Sequence, residues 1–171
     1  MNSKKIALVG LAAICTFCGC QPAEKLSVPK TEEVSLAGSW RGKVQFAEGP
    51  YAAIKDLEFM YHFNSGGTML ESSNYDAAPP VPPAYGIWRK IGERQFEARY
   101  EFYMTRFPDA SEHQPASAGW LPAGRGILLD TISLSADGRT FTSKTHLTVI
   151  GTDQSSSDGG TASGIATKIE F

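Results

Sequence analysis

The sequence predicts an all-β fold: an eight-stranded antiparallel up-and-down barrel over residues 38–171. Three observations predict it. From Gly38 onward apolar residues recur with a period of two, the period of a strand with one buried face. Eight such runs follow one another, with no helical period among them. The connections between the runs alternate between tight and long, and in a meander successive connections lie at opposite ends. Eight strands form a small closed barrel, which leaves no exposed sheet edge. A two-sheet sandwich is the alternative closure.

The runs can be justified in order. Trp40, Gly42, Val44 and Phe46 alternate with Arg41, Lys43 and Gln45; Leu57, Phe59, Tyr61 and Phe63 alternate with Glu58, Met60 and His62. Thr68, Leu70 and Ser72 make a short third run, and Tyr85–Ile91 a fourth. Phe96, Ala98, Tyr100, Phe102 and Met104 form the fifth, and Gly126–Leu134, Thr140–Ile150 and Thr161–Phe171 the last three. Asn64–Gly67, Gly92–Arg94 and Ser135–Arg139 are tight and carry the Gly, Asn and Asp that hairpin turns need. Ala47–Ile54, Asn74–Ala84, Phe107–Ala123 and Gly151–Gly160 are the long connections. Ser155–Gly160 reads by composition as a flexible loop.

The first 20 residues hold all three cysteines, Cys15, Cys18 and Cys20. Lys4 and Lys5 precede an apolar stretch, Ile6–Phe17, of 12 residues. That is the length of a signal-peptide core and too short to span a bilayer. Gly19-Cys20 then resembles the cleavage site of a bacterial lipoprotein signal, with Cys20 as the lipidated first residue. The expectation is a signal over 1–19, a tether over 20–37 and a β domain over 38–171. Ordinary secretion with a free Cys20 thiol is the alternative. By the same resemblance, Gln21 rather than Asp after the cysteine favours the outer membrane. Its periplasmic or outer side is not specified. Loss of Lys4 and Lys5 takes the net charge from −2 to −4, which offers no electrostatic footprint for nucleic acid. No cysteine follows Cys20, so no disulfide supports the domain. The tether, with Pro22 and Pro29, spans about 20–25 Å as a random coil.

Gly38-Ser39-Trp40 resembles the Gly-x-Trp opening of lipocalins and other calycins. The resemblance implies that Trp40 helps close one barrel end against a basic residue of the last strand, here Lys168. Tyr85–Gly92 leading into Gln95–Ala98, together with Leu134–Phe141, resembles uncharacterised bacterial lipocalin-like barrels. The second lipocalin motif, Thr-Asp-Tyr, is absent.

Few residues suggest chemistry. His62, His113 and His146 have neither metal-ligand spacing nor a cysteine nearby, and solvated histidines are expected. Gly-x-Ser-x-Gly is absent, and no helix follows the glycines to bind a phosphate. No catalytic group, metal or cofactor is expected. The inward parity gathers Trp40, Phe46, Phe59, Tyr61, Phe63, Phe96, Tyr100, Phe102 and Phe141, favouring a mostly filled core over an open cavity. If a ligand enters, Tyr61, Tyr100, Trp88, Phe102 and Asp130 are the candidates to meet it. Asp130 is buried if it shares the parity of Leu128 and Ile132, and solvated if Ile127 and Leu129 face inward. The run Pro79–Pro83, with Pro80 and Pro82, and Trp120 are candidate loop contacts for a protein partner.

Three function classes follow. The leading one is a membrane-anchored lipoprotein whose lipocalin-like barrel binds a small apolar ligand or a protein. The second is an integral outer-membrane barrel, which would face its apolar side outward. The third is an enzyme of the allene-oxide-cyclase-like barrel type. Both domain termini are expected at the tight-turn end, so lipid at Cys20 would hold that end toward the bilayer.

Overall fold

The computed structural model describes residues 34–75, 82–112 and 119–171. The expected signal with Cys20, Pro79–Val81 of the proline run, and His113 lie outside these residues. Eight strands form in chain order: β1 (Gly38–Phe46), β2 (Glu58–Phe63), β3 (Thr68–Ser73), β4 (Ala84–Lys90), β5 (Gln95–Arg106), β6 (Leu121–Leu134), β7 (Thr140–Ile150) and β8 (Ser156–Lys168). Each pairs antiparallel with its sequence neighbour, and β1 pairs with β8 to close the barrel. The closing register runs from Trp40 opposite Lys168 to Phe46 opposite Ala162. There is no helix among the described residues.

Alternation drives this closure. Trp40, Val44 and Phe46 of β1, Phe59, Tyr61 and Phe63 of β2, and Phe96, Ala98 and Tyr100 of β5 are buried. Arg41, Lys43, His62, Arg99, Lys144 and His146 stand on the outer face. The aromatic parity therefore faces inward, and of the nine large residues expected inside only Phe102 is partly exposed. The tight turns close as their residues dictate. Gly138 N donates to Ser135 O at 3.1 Å with φ +69°, a conformation a side chain would strain.

Several boundaries differ from expectation. The third run faces the other way: Met69 and Glu71 are buried, whereas Leu70 is exposed. The strand is short, and its inward set includes a carboxylate that a hydrophobic pattern does not register. Ser156–Gly160 is strand, not flexible loop, so β8 starts at Ser156 rather than Thr161 and ends at Lys168, before Phe171. Its glycines serve packing. A Cβ on Gly159 would lie 2.5 Å from Leu147 Cγ, and one on Gly160 2.3 Å from Glu48 O. The β7–β8 connection is thus only Gly151–Ser155. β6 begins at Leu121 rather than Gly126, with Pro122 pairing opposite Thr105 past a bulge. The packed region also starts before Gly38. Leu36, assigned to the tether, is fully buried and its carbonyl accepts the Trp40 indole N–H at 2.8 Å.

Small residues make room for large ones across the ladders. Tyr100 stands opposite Gly86, where a Cβ would meet Arg99 O at 2.3 Å and Tyr100 Cβ at 2.4 Å. Gly86→Ala is therefore expected to cost about 2 kcal/mol or more, because backbone must shift to accept it. Gly66, with nothing within 4 Å of its Cβ direction, is the control. Gly66→Ala should stay within about 0.5 kcal/mol of wild type. Thermal unfolding of the two variants checks the contrast, and equal losses would refute it.

Candidate functional site

The barrel interior is layered. At the tight-turn end Trp40, Phe63, Phe96 and Phe141 fill the space, with Trp40 and Phe141 centroids 5.0 Å apart. Lys168 Nζ lies 5.6 Å from the Trp40 ring centroid, a cation–π contact across the closing register. Trp88 belongs to this end. Its ring packs edge-on against Phe63, and its indole N–H donates to Asn64 O at 2.9 Å. The structure thus separates Trp88 from the other candidate ligand residues.

The middle layer is polar. Tyr61, Tyr100, Asp130 and Thr145 are all buried. The period-two ambiguity of β6 resolves with Asp130 inside, beside Leu128 and Ile132, and with Leu129 exposed. Tyr100 donates its hydroxyl to Asp130 Oδ2 at 3.1 Å. The Tyr61 and Tyr100 rings meet edge-to-face at 6.5 Å, and the two hydroxyls interact. Asp130 Oδ1 is buried without a close hydrogen-bond partner. Burial pushes the Asp130 carboxyl up to about 6, while Thr145 and Tyr100 pull the other way. Burial also raises both tyrosine hydroxyls well above their ordinary value, helped by the negative charge of Asp130 and Glu71. Glu71, opposite Tyr61 in the β2–β3 register, is buried too.

Above this layer, toward the long connections, the barrel opens into a cavity of about 100 Å³. Phe46, Phe59, Phe102 and Leu128 give it apolar walls; Glu71, Ser73 and Thr105 bring polar atoms, and Tyr51 and Tyr75 come from the loops. Three wall residues sit one strand repeat above the middle layer: Phe59 above Tyr61, Phe102 above Tyr100 and Leu128 above Asp130. Phe102 owes its place to Gly126, where a Cβ would fall 2.3 Å from the Phe102 ring. Thr105 Oγ1 is buried without a partner among the described residues.

Of the candidate ligand residues, then, Phe102 lines the cavity, and Tyr61, Tyr100 and Asp130 form the polar floor beneath it. Glu71, Thr105 and Thr145 were not picked out by sequence reasoning. Among the loop candidates, Pro82 borders the cavity, and Trp120 packs edge-on against Phe107 with centroids 5.7 Å apart. His62 and His146 are on the outer face, bonded to Ser39 and Asp158 respectively. No group of three or more His, Cys, Asp or Glu residues able to hold a metal occurs among the described residues.

No protein-family model, curated protein or solved structure matches this chain.

Proposed function

We propose that this chain is an exported, lipid-anchored protein whose barrel binds a small apolar ligand in its mouth. The observation that carries this reading is the cavity over a buried polar floor. Apolar walls with a few convergent polar groups are the usual makeup of a small-molecule site. About 100 Å³ is less than the roughly 150 Å³ that accommodates benzene in an engineered protein cavity. The cavity therefore suits one end of a ligand, the remainder lying between the mouth loops. Placement of the charges supports a ligand barrel over a membrane-spanning one, since the aromatics face inward and Arg41, Lys43, Arg99 and Lys144 outward. The anchor rests on the Gly19-Cys20 signal alone.

One experiment tests both parts. Native mass spectrometry of the chain extracted from its own host's membranes should show an acyl-lipid increment and a released small molecule. Cys20→Ser should lose the increment and the membrane association but keep the small molecule. An unmodified mass in wild type would reject the anchor, and an empty barrel in both proteins would reject the ligand.

A further inference from the structure

The outer wall of the barrel carries an apolar patch, apart from the mouth. Strands β4, β5 and β6 turn two adjacent rows of side chains outward. In the first row Tyr85, Glu101 and Ile127 stand side by side, and in the second Ile87, Arg99 and Leu129. Tyr85 is 63 % exposed and Ile87 61 %, and Leu129 is exposed as well. The outward positions of β1 and β7 instead hold residues such as Arg41, Lys43, Lys144 and His146. Exposed tyrosine and aliphatic side chains set around an arginine, with no lysine among them, have the makeup of an interface rather than of a solvated wall.

The charges within the patch are already paired. Arg99 lies 2.6 Å from one carboxylate oxygen of Glu101, and Arg125 lies 3.3 Å from the other. Covering this cluster with a wholly apolar surface would desolvate it with nothing to replace the water. The surface that fits therefore brings apolar groups and charges of its own.

The rows themselves describe that surface. Across β4, β5 and β6 both read apolar, charged, apolar, and their central charges are of opposite sign. A two-fold axis running across the strands, midway between the rows, lays each row on the other row of a second copy. Tyr85 then meets Ile87, Ile127 meets Leu129 and Glu101 meets Arg99, and each contact is made twice. No like charges face each other, and each carboxylate lies between guanidiniums of both copies. Such reciprocity is what an isologous interface requires.

We propose that the outer face of β4, β5 and β6 is a two-fold interface between copies of this chain. The inference rests on neither the cavity nor the anchor. Three strands on a convex wall make a contact at the small end of specific interfaces, so the dimer is expected to dissociate in the micromolar range.

Sedimentation velocity of the full chain in a non-ionic detergent tests it. Wild type should pass from monomer to dimer between about 1 and 100 μM. Arg99→Glu sets acids against acids across the axis, and Glu101→Arg sets bases against bases. Each reversal should weaken dimerisation at least about tenfold. Mixed in equal amounts, the two variants are complementary again and should dimerise about as tightly as wild type. Wild type that stays monomeric at about 100 μM overturns the proposal. So does a dimer that neither reversal weakens, as two lipidated chains sharing a micelle by chance would give. A mixture no more dimeric than its components also overturns it. If either reversal prevents folding, Tyr85→Ala decides: it should weaken the dimer, and an unchanged dimer overturns the proposal.

Discussion

Between about pH 4 and pH 7 the barrel is expected to lose on the order of 3 kcal/mol of stability at one carboxyl group, Asp130. Its folded pKa is raised from 3.8 to about 6, chiefly by burial. In that window the native state holds a proton that the unfolded chain has released. Stability from this group is therefore complete below about pH 4 and falls as pH rises through 6. At neutral pH the ionised carboxylate is buried, with Tyr100 donating to it at 3.1 Å and Thr145 also hydrogen-bonding to it. Asp130→Asn keeps the shape and removes the ionisation. Its stability should be flat across the window and should exceed wild type at neutral pH, less about 1 kcal/mol for an imperfectly bonded amide. Urea unfolding of both proteins at a series of pH values gives the difference curve. The exposed Asp137, Asp153 and Asp158 and the half-buried Glu112 have lowered pKa values and act at lower pH in the opposite sense, but they cancel in the difference. Parallel curves would show that Asp130 does not titrate there.

Trp40→Ala should be the most damaging single truncation in the closed end, costing about 3–5 kcal/mol. The indole is fully buried, packs on Phe141 at 5.0 Å and donates to Leu36 O at 2.8 Å. Its loss opens a cavity at the seam and strands the Leu36 carbonyl. Native domains hold only about 5–15 kcal/mol in all, so the variant approaches the edge of folding. Lys168→Met, which removes only the ammonium over the ring, should cost about 0.5–1 kcal/mol. Denaturant midpoints of the two variants check both values. A loss below about 1 kcal/mol for Trp40→Ala would mean that Trp40 is not the plug of that end.

The barrel was legible in the sequence because burial and alternation coincide along most strands. Trp40 to Phe46 and Phe96 to Tyr100 state their inner face without ambiguity. Legibility fails where a buried position is not apolar. Glu71 and Asp130 are the charged exceptions inside, and they are also the residues that give the cavity its character. A hydrophobic count places Leu70 inside and leaves Asp130 undecided; cross-strand pairing settles both. Composition misleads in a second way at Ser156–Gly160. Glycine and serine suggest a loop, but the glycines admit Leu147 and the Glu48 carbonyl at close range. Trp88 shows a third limit, since its parity is inward but its depth along the barrel axis puts it far from the mouth. Period gives the face of a residue, not its height.

The seam between β1 and β8 has a kinetic consequence. Seven of the eight ladders join strands adjacent in sequence, so they can assemble from local hairpins. The eighth joins residues roughly 120 apart, from Phe46 with Ala162 to Trp40 with Lys168. Closing a loop of that length costs about 4 kcal/mol of chain entropy unless the intervening strands have already formed. The meander therefore has to shorten the distance before the ends can meet, which places closure late in folding. Trp40 and Lys168 lie in that last ladder, so the Trp40 indole reports completion of the barrel rather than its beginning.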